Sequence, residues 1–138
     1  MLLAISCAAL MCGCAPRFAG HYAGHVAPTQ MTGPEGEALR ARQAQEHSDF
    51  VLKSDHTFVY NELGPDGEVV GSTTGDWRDD NGVVVITAHG AEENGQPVSI
   101  PGTYEMRYVP SSNNHVLTLD ISHDPDQLRT NQTVFEKK

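Results

Sequence analysis

The chain has 138 residues with 9 basic and 18 acidic side chains, a formal net charge of -9 and no basic block, which disfavours a phosphate backbone as partner. That length supports one domain with one modest core. Its 3 cysteines all fall at or before position 14, so the rest of the chain can build no disulfide, cysteine nucleophile or thiolate metal site.

The run Met1 to Gly13 is apolar and small, holding Leu2, Leu3, Ile5, Leu10 and Met11, and it stops at Cys14-Ala15-Pro16-Arg17. About 13 apolar residues are too few to span a bilayer, which needs roughly 20. The run resembles the end of a bacterial lipoprotein signal peptide. In that family a small residue, here Gly13, precedes the cysteine that takes the lipid and becomes the new N-terminus. Cys12 follows the bulky Met11, so Cys14 is the expected acceptor. The resemblance implies a signal peptide over 1–13, a lipidated end and tether over 14–19 and a folded domain over 20–138. It also implies a lipid anchor in the outer membrane facing the periplasm, because Ala15 stands where Asp would favour the inner membrane.

Residues 20–27 carry a small duplication, Gly20-His21-Tyr22-Ala23 and Gly24-His25-Val26-Ala27, that reads as a first irregular strand or as more tether. Thr32-Gly33-Pro34-Glu35 has the spacing of a helix start, and predicts a helix from Glu35 to His47. Leu39 is its only large aliphatic residue, beside Ala38, Ala41 and Ala44, so it should pack beside a sheet while staying partly exposed.

From Asp49 the hydrophobic period becomes two. Phe50-Val51-Leu52 leads to a tight turn at Ser54-Asp55-His56, and Thr57 to Leu63 puts Phe58 and Tyr60 on one face. Gly64-Pro65-Asp66-Gly67 turns the chain into a strand from about Glu68 to Trp77. Asp79-Asp80-Asn81-Gly82 turns it again, into Val83-Val84-Val85-Ile86-Thr87, whose unbroken β-branched character predicts a strand covered on both sides. His89 to Gly102 is polar and reads as a loop. Tyr104, Met106 and Tyr108 share a face of the next strand, Ser111 to Asn114 turn, Leu117, Leu119 and Ile121 share a face of the return, and a last strand spans about Thr130 to Glu136. Seven or eight short antiparallel strands with one early helix predict a mainly β fold, a meander curling into a small barrel or half-barrel.

Four pieces strengthen that expectation: Gly20-His21-Tyr22-Ala23-Gly24; Phe50-Val51-Leu52-Lys53-Ser54-Asp55-His56-Thr57-Phe58; Gly75-Asp76-Trp77; and Thr133-Val134-Phe135-Glu136-Lys137. With them the chain resembles the small lipocalin-like barrels of bacterial envelope lipoproteins, including the N-terminal barrel of the copper-resistance outer-membrane lipoproteins. The C-x-x-C of that family is missing, since the matching stretch reads Ala27-Pro28-Thr29-Gln30, so its thiol chemistry does not carry over.

Seven histidines are the main candidates for chemistry, because imidazole suits copper and zinc. His21 and His25 share one face whether the segment is helix or strand, but on a strand they stand roughly 13 Å apart, too far to chelate one ion. Asp120, His123, Asp124 and Asp126 form a denser group that could hold a cation with loop carbonyls, or serve as turn chemistry. No G-x-S-x-G, H-E-x-x-H or phosphate-loop motif occurs, so neither an enzyme nor a bound cofactor is expected. Phe58, Tyr60, Trp77, Tyr104 and Tyr108 either line a small pocket at a barrel mouth or fill a narrow core. The sequence thus points first to a non-enzymatic binding or accessory module for another envelope component. A His/carboxylate copper or zinc protein and a carrier of a small apolar ligand are the alternatives.

Overall fold

The computed structural model describes residues 15–26, 32–100, 102, 104–120 and 133–138. Among these residues nine strands and one helix follow in the order β1 (Gly20–Val26), α1 (Gly33–Gln43), β2 (His47–Leu52), β3 (Thr57–Leu63), β4 (Val69–Asp80), β5 (Val83–Glu93), β6 (Gln96–Val98), β7 (Tyr104–Pro110), β8 (Val116–Leu119) and β9 (Thr133–Lys137). The sheet runs β4-β3-β2-β1-β9-β8-β7-β5, and a β4–β5 pairing closes it into an eight-stranded barrel, with β6 an extra strand on β5. All pairings are antiparallel. Closure removes the sheet edges, which an open meander of this length would leave unpaired. The small mainly β barrel read from the periodicity is therefore the fold.

Alternation along the strands sorts the side chains. Tyr22, Phe50, Leu52, Phe58, Trp77, Val84, Ile86, Tyr108, Leu117 and Phe135 are buried in one core. Phe50 is its hub: its ring lies 4.9 Å from Phe135, 5.6 Å from Tyr108 and 5.8 Å from Phe58, in tilted and edge-on geometries that favour aromatic quadrupoles.

Val85 points the other way, yet it too is 0% exposed. The register sets it opposite Arg78 on β4 and Arg107 on β7. Arg78 reaches Glu105 at 3.5 Å and Arg107 reaches Asp80 at 3.2 Å, so the two ion pairs pass in opposite directions over β5. Long arginine stems cover apolar surface while their heads stay in water, which accounts for a strand covered on both sides without a second layer of structure.

The two ends differ. One end carries the short turns after β2, β4 and β7, and the segment before β1 lies over it. Phe18 is 1% exposed, accepts a hydrogen bond from the Tyr22 hydroxyl at 2.8 Å through its carbonyl, and has the Arg17 guanidinium 4.5 Å from its ring centre. Arg17 also pairs with Asp79 at 2.9 Å. Phe18 falls in the stretch read as tether, and it belongs to the core. The opposite end carries the longer connections, including α1.

Three elements depart from the sequence reading. The helix starts two residues earlier than expected and ends at Gln43, because Ser48, Phe50 and Leu52 already alternate inward and His47 pairs with β1. Thr32 occupies its N-cap without a side-chain capping bond, and its buried residues are Gly36 and Gln43, which leaves Leu39 half-buried. The expected loop from His89 contains the end of β5, the turn Asn94-Gly95 and β6. Asn94 and Gly95 have φ of 50° and 76°, the pair of positive values that a two-residue hairpin turn requires. The last strand begins at Thr133.

Candidate functional site

The eight-stranded barrel is not filled to its open end. A cavity of about 310 Å³ is lined by Phe50, Phe58 and Tyr60, by Ile86, Ala88 and Ala91, by Met106 and Tyr108, and by Thr73, Ile100, Leu119 and Phe135. It stands at the lower end of the range for small-molecule pockets, and the described residues of its walls are apolar apart from three hydroxyls.

Small residues make the space. Ala88 and Ala91 lie three apart on β5, a spacing that regular alternation would send to opposite faces. Ala88 pairs with Gly75, Gly90 with Thr74 and Ala91 with Thr73, so His89 is left over as a bulge and both alanines turn inward. His89 is pushed outward, where its Nε2 sits 2.8 Å from Asp76. Gly75 is needed at the same place, because a Cβ there would meet the Thr87 carbonyl oxygen and the Phe58 ring. A bulge and a close approach thus open the barrel toward one end.

Tyr60 marks the way out. Its ring walls the cavity, and with Thr73 and Ala91 it also walls a shallower hollow at the rim whose other members include Glu62, Glu92, Glu93 and Asn94. Burial raises the pKa of the Tyr60 hydroxyl, a hydrogen bond with Ser48 opposes this, and the negative charges of Glu62 and Glu46 act in the same direction as burial.

Of the five aromatic candidates, Phe58, Tyr60 and Tyr108 line the cavity. Trp77 does not: it is a core residue at the closed end, 2% exposed, with its indole Nε1 donating to the Lys53 carbonyl at 2.8 Å and its ring stacked 4.8 Å from His56. The side chain of Tyr104 lies outside the described residues. Sequence reading missed Ala88, Ala91 and Ile100: Ala88, in phase with Val84 and Ile86, lies just past the strand it read, and Ala91 and Ile100 fall in the stretch it read as a loop, Ala91 turning inward through the bulge.

The histidine and carboxylate candidates are spread out. His21 and His25 both lie on β1 and are exposed, but His21 Nε2 contacts Asp49 Oδ1 at 2.6 Å, whereas His25 faces His47 across the β1–β2 ladder. Lys138 Nζ is 3.0 Å from the same Asp49 oxygen. The backbone of Asp120 donates to the Arg107 carbonyl at 2.7 Å. His123, Asp124, Asp126 and Cys14 lie outside the described residues, and among the described ones no group of three or more His, Cys, Asp or Glu side chains converges on a point that could hold a metal ion. Among them, too, no helix is long and apolar enough to cross a membrane. Comparisons of the chain with protein-family models, with curated proteins and with solved structures find no match.

Proposed function

We propose that this protein is a lipid-anchored envelope binding protein that holds a small apolar ligand inside its barrel and performs no chemistry on it. The observation that carries the reading is the cavity itself: about 310 Å³ of apolar space beside a fully closed sheet. A protein interior normally packs out such a volume, since each missing methyl costs stability. Here the bulge at His89 and two alanines keep it open.

The anchor fits this geometry. Phe18 stands four positions after Cys14, a reach of at most about 14 Å. A lipid on Cys14 therefore holds the closed end, where Phe18 is buried, against the bilayer, and turns the cavity mouth toward the aqueous side. Several acyl chains on one cysteine give a stable anchor. In this arrangement the ligand is exchanged with the periplasm and handed to or received from another envelope component.

The test has two parts. Native mass spectrometry of the freshly purified full chain should show a co-purifying small molecule, and the neutral probe N-phenyl-1-naphthylamine should bind with one-to-one saturation. Ala91→Phe, which places a ring in the cavity, should abolish probe binding while the melting temperature stays within a few degrees. Binding that survives this substitution would remove the cavity as the site.

One observation favours a second reading, in which the protein binds copper or zinc. The register sets His25 directly opposite His47 on the outer face, and opposite Cβ atoms in an antiparallel ladder stand about 4.5–5.5 Å apart, within reach of one ion. Zinc binding at micromolar concentration that is lost in both His25→Ala and His47→Ala, but kept in His21→Ala, would support it.

A further inference from the structure

The charges around the cavity mouth select among apolar ligands. The rim hollow that shares Tyr60, Thr73 and Ala91 with the cavity is walled by three carboxylates, Glu62 on β3 and Glu92 and Glu93 on β5, and among the described residues by no basic one. Among the described residues none of the three takes part in an ion pair. Arg42 borders the next hollow along the rim together with Glu46, Glu62, His25 and His47, and it touches neither the cavity nor the Glu62–Glu92–Glu93 hollow. The whole chain adds to the same sign, with a formal charge of -9. Inside the cavity five aromatic rings, those of Phe50, Phe58, Tyr60, Tyr108 and Phe135, present π faces and edges to whatever enters.

An anionic head group at this mouth would face carboxylates that no described residue pairs with, and a cation would be drawn to them and to the Tyr60 ring. We infer that the ligand is a cationic amphiphile, with its apolar or aromatic part in the barrel cavity and its positive group at the rim among Glu62, Glu92 and Glu93. The inference rests on the cavity reading above and narrows it to one class: quaternary or protonated amines carrying a short alkyl or aryl tail, as against fatty acids. The upward push that Glu62 and Glu46 exert on the Tyr60 hydroxyl agrees with a negative potential reaching the cavity wall.

The experiment is displacement of N-phenyl-1-naphthylamine from the full chain by three probes of one tail length, decyltrimethylammonium, decanol and decanoate, each below its micelle concentration. Decyltrimethylammonium should displace the neutral probe at a concentration lower than decanoate by about tenfold or more, with decanol between. Raising the ionic strength to about 0.5 M should shrink that ratio, because the Debye length falls to a few ångströms. In the Glu62→Gln, Glu92→Gln, Glu93→Gln triple variant the ratio should fall to about threefold or less while decanol is unaffected. The salt series on the unmodified chain gives the same answer if the variant does not fold. Decanoate equal to or better than the cation, with decanol still active, would overturn the cationic ligand and leave the cavity reading standing. Absence of probe binding and of displacement by all three would overturn both.

Discussion

The indole Nε1 of Trp77 donates to the backbone carbonyl of Lys53 at 2.8 Å, and the Trp77 backbone N–H donates to the His56 carbonyl at the same distance. One residue of β4 thereby fixes both sides of the β2–β3 turn while its ring closes the core. Truncation removes the ring and the hydrogen bond together. Trp77→Ala should cost about 3–5 kcal/mol in urea unfolding, a large share of the roughly 5–15 kcal/mol available to a small domain. Native emission should be blue-shifted. A red-shifted emission with an unchanged melting temperature in the variant would contradict this role.

Gly75 makes a sharper steric test. A methyl at this position would run into a backbone atom, the Thr87 carbonyl oxygen, as well as the Phe58 ring, and backbone cannot rotate away. Gly75→Ala should destabilise by about 1–3 kcal/mol. Gly71, four residues earlier on the same strand, would meet only the mobile Glu62 side chain at 3.3 Å and then atoms at 3.6 Å or beyond, so Gly71→Ala should stay within about 0.5 kcal/mol. Equal effects at the two sites would refute the close-packing account of the bulge.

Acid should weaken the fold through identified carboxylates. Partial burial pushes the Asp49 pKa up, but hydrogen bonds from Lys138 and His21 outweigh it, and the net shift is downward. The Arg17 hydrogen bond lowers Asp79 against a smaller desolvation effect. A carboxylate whose native pKa is depressed contributes stability above its unfolded value, near 3.9, and loses it as pH falls through the native value. Urea midpoints should therefore be flat with respect to these two groups above about pH 5 and should drop below about pH 4, and the drop should be shallower in Asp49→Asn and in Arg17→Ala. An acid limb unchanged by either substitution would exclude these pairs as its source.

The parts of the fold legible in the sequence are those where one local signal acts alone. Alternation put Phe58 and Tyr60 on one face, β-branching marked Val83 to Thr87 as covered on both sides, which holds fully at Val84, Val85 and Ile86, and Gly64-Pro65-Asp66-Gly67 turned the chain. Closure was not local. It depends on β9 pairing with β1 across more than a hundred residues, which no window can register. Phe18 was lost because it is a lone apolar residue between a proline and a glycine-rich run, and its burial follows from the end of the barrel it covers. The cavity was hidden for a different reason: Ala91 and Ile100 fall in the stretch read as a polar loop, and Ala91 joins the inward face of Ala88 only because His89 bulges. Aromatic composition suggested a pocket without separating Trp77, at the closed end, from Tyr60 and Tyr108, which line the cavity.

The most direct measurement of the central claim is methyl-resolved nuclear magnetic resonance of the full chain titrated with decyltrimethylammonium. The account predicts saturable shifts in the methyls of Ala88, Ala91, Ile100, Met106 and Leu119, which line the cavity, with Leu52 and Leu117 in the packed part of the core little changed. Shifts confined to Val69 and Val109, two of the three valines that stand exposed among the described residues, or no saturable shifts at all, would contradict it.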